Sequence, residues 1–232
     1  MNSDFFDELE RLLNYHFNDK QLLVMAMSHS SYVNERKINK CDCNERLEFL
    51  GDAVLELVSS DYIYKKYPEK PEGELSRIRA ALVCEPALFE CSEEIKLGRF
   101  VLLGKGEERD NGRLKPSVIS DAFEALLGAV YLDGGYENAS AIIHKFILSD
   151  KRFVELESVD SKSKLQEEVQ KKDKDCVIEY AVTDVSGPEH NKQFEVTVYI
   201  NKKVMGKGTG KNKKTAEKMA AADAIKKLSD EV

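Results

Sequence analysis

The sequence predicts two domains of different class: an all-α unit over residues 1–150, and an α+β unit of α-β-β-β-α order over 162–232. Three observations predict this. Apolar residues recur at helical spacing from residue 4 to 148, and alternation takes over at 177–182 and 193–200. Residues 151–161, with few apolar positions and Ser158, Asp160 and Ser161, read as a linker between the two regimes. Charge divides at the same place: residues 1–159 hold 20 Lys and Arg against 29 Asp and Glu, and 160–232 hold 15 Lys against 13 acids. The overall −7 therefore conceals an acidic module followed by a weakly basic one, as expected when a catalytic unit is joined to a polyanion-binding unit.

Residues 4–14 and 19–27 carry apolar side chains at 3.6 spacing, with Asn18 or Asp19 as the cap. Ser28 to Tyr32 is a polar helix end in which His29 reads as a capping residue rather than a ligand or base. A polar loop over 35–43 contains Cys41 and Cys43, which have no partner pair or nearby His and read as incidental. The next helix runs from 44 to about 66 and ends at Tyr67-Pro68, because the residue before Pro avoids the α region. Pro71 to Ser76 makes a turn into a helix over 74–83, in which Arg77 and Arg79 could reach phosphates but more simply pair with acids. A helix over 86–97 follows, with Leu88, Phe89, Ile95 and Leu97 inward. Residues 104–116 form a charged, Gly-rich loop; no strand precedes it and no G-K-[ST] follows, so it is not a P-loop. Then come a helix over 117–132, a turn at Gly134-Gly135 and a last helix over 137–148.

Two of these helices carry the chemistry. In 44–55, Glu45, Glu48 and Asp52 stand at i, i+3 and i+7, which places them at about 0°, 300° and 340° on a helical wheel. Leu47, Leu50, Val54 and Leu57 fall on the far side, and Glu56 reads as the solvated continuation of the acidic stripe. Like charges at this spacing repel. A solvated face is the ordinary outcome, but Phe49, Gly51 and Ala53 among the acids do not suit one. In 117–132, Asp121 and Glu124 are the only charges in a run otherwise apolar or small, where unpaired carboxylates are expensive to bury. Two acidic faces meeting would supply the oxygen ligands that suit Mg²⁺ or Mn²⁺, and such sites serve phosphoryl chemistry.

The strings NERLEFLGDAVL and DAFEALLGAVYLD, at their spacing here, resemble the signature of the ribonuclease III endonucleases. By position, the resemblance assigns metal binding to Glu48, Asp52, Asp121 and Glu124. It assigns catalysis to Asp52 and Glu124, with Glu45 and Glu72 in support. It implies a Mg²⁺-dependent homodimer, with Mn²⁺ able to substitute, that cuts both strands of double-stranded RNA. The products would carry 5′-phosphate and 3′-hydroxyl ends with short 3′ overhangs, and ribosomal RNA precursors and other structured transcripts would be substrates.

The second unit resembles a double-stranded RNA-binding domain. A helix over 162–171 precedes the strands, Asn201-Lys202 turns into a strand at 204–208, and a helix over 212–228 carries small residues for docking on the sheet. Gly208-Thr209-Gly210-Lys211-Asn212-Lys213-Lys214 is similar to that family's glycine turn and basic helix start, with Asn212 where Ser is commoner. The resemblance gives Lys211, Lys213 and Lys214 phosphate contacts, Ser163 and Gln166 ribose contacts, and His190 a place in a minor-groove loop. A-form RNA hides its base edges, so shape and 2′-hydroxyls should guide selection.

No apolar run approaches the length of a membrane span, the acidic N-terminus lacks an export signal, and five scattered cysteines suit reduced thiols in a cytoplasm. A non-catalytic RNA-binding protein is the rival reading, disfavoured because all four principal acids are present. A nucleotide phosphohydrolase is disfavoured by the second module.

Overall fold

The computed structural model describes residues 4–173, 176–188 and 192–230, and the chain forms two compact units, 1–149 and 150–232. The first contains α1 (Asp4–Leu13), α2 (Lys20–Ala26), α3 (Ser30–Glu35), α4 (Glu45–Lys66), α5 (Glu72–Val83), α6 (Glu85–Glu94), α7 (Lys105–Arg109) and α8 (Pro116–Phe146). Helix α8 forms the centre, packed by α2, α4 and α6. Its Ile119, Ala122, Phe123, Ala125, Leu126, Leu127, Ala129 and Val130 are fully buried, as expected of a helix apolar on nearly every side. Asp19 caps α2, its carboxylate accepting from Gln21 N at 2.9 Å. Helix α4 ends before Pro68 as the sequence predicts.

The second unit contains α9 (Asp150–Lys172), β1 (Ile178–Ser186), β2 (Gln193–Ile200), β3 (Lys203–Gly210) and α10 (Lys213–Asp230). The sheet is antiparallel in the order β1-β2-β3. Both residues of the β2–β3 turn, Asn201 and Lys202, have positive φ, which matches the twist of a two-residue hairpin. Leu165 and Val169 of α9, Val196 and Val198 of β2, and Ala216, Ala220, Ala221 and Ala224 of α10 form one core.

Several expectations are corrected. Residues 151–161 are helical, continuous with the helix expected from 162; the stretch has no Pro or Gly to break a helix. The loop over 104–116 consists of α7 and a 3₁₀ turn at Gly112–Leu114. Arg113 Nη1 clips it in place by donating to the carbonyls of Gly98 and Val101 at 2.8 and 2.7 Å. The turn at Gly134-Gly135 is a kink at Gly135, φ 77°, inside α8. Gly208 and Gly210 lie in β3 rather than in a turn. A Cβ on Gly208 would stand 2.2 Å from Ala220 N, so the glycine serves close docking of α10. Cys43 stands in the loop before α4, as expected, and its side chain is buried there. On α4 the buried stripe is Leu47, Gly51, Val54, Leu55, Val58, Ser59 and Ile63, whereas Leu57, expected inside, is 59% exposed.

Candidate active site

The departure on α4 places the acids. Because the buried stripe runs through Gly51 and Leu55, it borders the acidic stripe instead of opposing it. Glu48 therefore sits at the rim of the core, half-buried, while Glu45 and Asp52 are exposed. The partner across the rim is α8. A Cβ on Gly51 would lie 1.8 Å from the carbonyl oxygen of Glu124, and one on Gly128 would lie 2.2 Å from that of Leu47. The helices thus cross backbone against backbone. Glu48 precedes Gly51 by about one turn, and Glu124 precedes Gly128 by about one turn, so both carboxylates emerge beside the crossing.

The result is a convergence of Glu48, Asp121 and Glu124, whose carboxylate oxygens lie within 4.8 Å of one another. All three are partly buried. Burial pushes the Glu124 carboxyl up to about 8, with Asp52, Glu48, Asp121 and Glu56 adding repulsion. Glu48 is raised by burial and then by Asp121, Glu45 and Asp52. Asp121 is raised by burial and by Glu85, with His29 opposing. Three desolvated carboxylates that resist ionisation side by side form a donor set that a hard divalent cation would stabilise.

The other site candidates are distributed around this cluster. Asp52 acts electrostatically on both Glu48 and Glu124, and Glu45 stands in the first turn of α4. Glu72 is the first residue of α5, not a turn residue. Its carboxylate accepts from Ser76 Oγ at 2.7 Å and lines a groove of about 450 Å³ with Leu57, Tyr64 and Arg79, apart from the three clustered acids. Arg79 pairs with an acid as expected: its Nε lies 2.8 Å from Glu56, which is therefore not merely solvated. His29 caps α3 through Nδ1, which accepts from Ser31 N at 3.3 Å. The residue pattern did not disclose the Gly51–Gly128 crossing, the influence of Glu85 or the Arg113 clip. A glycine one turn after an acid in each motif was the available signal for the crossing.

In the second unit, Asn212 Oδ1 accepts from Thr215 N at 2.8 Å, capping α10 beside the exposed Lys211, Lys213 and Lys214. Gln166 is exposed on α9, and Ser163 belongs to the same helix. His190 lies outside the described residues.

Comparison with known proteins matches each unit separately. A family model described as Ribonuclease-III-like matches residues 19–151, and one for the double-stranded RNA binding motif matches 161–228. The chain is 45% identical over 225 residues to ribonuclease 3 of Listeria monocytogenes serotype 4a, covering 97% of this chain and 98% of that protein. It is 44% identical over 230 residues to ribonuclease 3 of Bacillus cereus, covering 98% and 93%. A solved nuclease domain of ribonuclease III from Campylobacter jejuni, described for structural flexibility in its dimer-forming region, aligns with a TM-score of 0.57 at 44% identity. That alignment covers 61% of this chain and 95% of that domain.

Proposed function

We propose that this chain, which belongs to the ribonuclease III family and is an endoribonuclease of double-stranded RNA, cuts both strands in a Mg²⁺-dependent reaction, with Mn²⁺ able to substitute. The products carry 5′-phosphate and 3′-hydroxyl ends with short 3′ overhangs. The observation that carries this reading is the convergence of Glu48, Asp121 and Glu124 from two helices, in a chain that also holds an RNA-binding module.

Glu48, Asp52, Asp121 and Glu124 would hold the cation, a set composed entirely of carboxylate oxygens. When bound, it supplies Lewis-acid polarisation of the scissile phosphate and a more acidic water. The chain's own contribution is placement. The α4–α8 crossing fixes the carboxylates before substrate arrives, so little reorganisation is left for the reaction. Glu45 would support the site from the first turn of α4, and Glu72, which lines a separate groove, takes a supporting role by the family resemblance alone. Residues 162–232 hold the duplex through Lys211, Lys213, Lys214, Gln166, Ser163 and His190, and 151–161 join them to the catalytic unit at 1–150.

Cutting two antiparallel strands calls for two sets of acids related by a two-fold axis, so the active species is a homodimer. The exposed apolar side chains of α4, Phe49 at 80%, Leu57 at 59% and Tyr64 at 71%, suit an interface. All five cysteines are free thiols, which suits a reducing cytoplasm; ribosomal RNA precursors and other structured transcripts are the substrates that the family resemblance implies. Among the described residues no helix is long and apolar enough to cross a membrane.

Incubation with a long RNA duplex, with and without Mg²⁺, tests the reading on a gel, with mapping of the product ends. Cleavage that persists in excess chelator, or ends other than those named, would overturn it.

A further inference from the structure

Lys162 lies where three elements of the second unit meet. Its Nζ is 2.5 Å from Glu217 Oε2 on α10 and 4.2 Å from the centre of the Tyr180 ring on β1. It lines a groove of about 310 Å³ together with Gln166, the α9 residue read as a ribose contact. The ion pair is open to solvent, with side-chain exposures of 38% for Lys162 and 29% for Glu217.

The surroundings of Glu217 are cationic. Lys213 and Lys214 lie one turn earlier on α10, and Lys218 follows it. The Lys218 ammonium is held below its usual range by burial first and then by Lys214 and Lys162, so these three ammonium groups share one neighbourhood. Lysines gathered at the positive end of a helix draw a phosphate. Here a carboxylate of the chain itself lies among them.

We propose that Glu217 is an internal stand-in for an RNA phosphate: its carboxylate holds Lys162 in the free protein and yields it to a phosphodiester oxygen when a duplex binds. Lys162 then trades one anion for another, so its gain on binding nearly cancels. Glu217 thereby lowers duplex affinity and eases release of the cut RNA. The Tyr180 ring keeps the Lys162 stem in place during the exchange, through a cation–π interaction that needs no carboxylate. The proposal rests on the reading that the start of α10 and the Gln166 face of α9 form the RNA surface.

The test uses the full chain and a short RNA duplex in chelator, so that binding is read without cleavage, by fluorescence anisotropy across a KCl series. Glu217→Gln keeps the shape of the side chain and removes its charge. It should bind roughly two- to fivefold tighter at fixed salt, the scale of one solvent-exposed ion pair. The salt slope should steepen by about one unit, because Lys162 now releases a counterion without surrendering a partner. Adding Lys162→Met should erase both gains. Equal or weaker binding by a cooperatively unfolding Glu217→Gln, with an unchanged slope, would overturn the proposal and leave the pair as a strut between α9 and α10.

Lys162→Met alone gives an arm independent of how Glu217→Gln folds. Exchange leaves its slope near the wild-type value, whereas a slope shallower by a full unit would show that Glu217 does not hold Lys162 in solution. Lys213→Ala with Lys214→Ala separates the two levels. An unchanged slope there would fail the surface reading itself, while a reduced slope beside an inert Glu217→Gln would fail only the exchange.

Discussion

Gly51 and Gly128 face each other across the α4–α8 crossing so closely that a Cβ built on either would stand 3.0 Å from the backbone nitrogen of the other. Gly51→Ala should therefore damage the site more than the propensity scale suggests. Alanine gains about 1 kcal/mol of intrinsic helix stability over glycine. The new methyl meets the rigid Glu124 carbonyl, which no rotamer change can move aside, and overpacking of this kind costs about 1–3 kcal/mol. Net destabilisation is expected in thermal unfolding, with cleavage reduced at least roughly tenfold because the helices must separate and even a small misplacement of catalytic groups is costly. An active, undiminished Gly51→Ala enzyme would show that the crossing tolerates a wider spacing.

Glu124→Gln separates catalysis from binding. The amide keeps the reach of the side chain but not the charge that a hard cation requires. Single-turnover cleavage should fall at least about a hundredfold, the scale of removing one interaction that stabilises the transition state. Duplex affinity in a gel shift should be kept, since its lysines belong to the other unit. Mn²⁺ should restore part of the rate. Near-normal cleavage would remove Glu124 from the ligand set; joint loss of binding and cleavage would indicate misfolding.

The same carboxyl makes the metal-free protein pH-sensitive. Its pKa rises from an ordinary 4.5 to about 8 on folding, so between those values the folded chain keeps a proton that the unfolded chain has released. Stability from this group is full below about pH 4.5 and declines as the pH rises through about 8. Glu48 and Asp121, both raised, act in the same sense. In chelator the melting temperature should drop between about pH 5.5 and 8, and either added Mg²⁺ or Glu124→Gln should lessen the drop. A flat profile in chelator would mean that the acids are better solvated than their burial implies.

Replacing Lys213 and Lys214 by Ala should weaken duplex binding similarly across sequences. The salt slope should shrink by about one unit for each phosphate left without its lysine. Since no base edge is involved, sequence preference should not change. A slope equal to that of the wild-type chain would put the RNA surface elsewhere.

Phe49→Ser tests assembly. Removing this 80%-exposed ring should shift sedimentation toward monomer, with cleavage falling in parallel. A variant, or a wild-type chain, that is monomeric at micromolar concentration and still cuts both strands would sink the dimer.

Both fold classes are legible in the residues. The 3.6 period up to residue 148 and the alternation at 193–200 announce them, since local periodicity records which face meets a core. Asp121 and Glu124 are conspicuous because charge is costly in an apolar helix. The helical run through 151–161 is not legible, since its few apolar residues leave no clear period to read. Leu57 goes astray because a helical wheel spaces residues correctly but does not say which arc another helix will cover.

Spacing along one chain is thus enough to settle which elements form, where the charged residues fall on them and which family the motifs resemble. It took the packing of the first unit to bring Glu48, 73 residues before Asp121, into one cluster with it and with Glu124. The same packing leaves Asp52 at the exposed edge and Glu72 in a separate groove. The reason is steric. Two glycines let α4 and α8 touch backbone to backbone, and the azimuth of that contact sets which carboxylates are desolvated together.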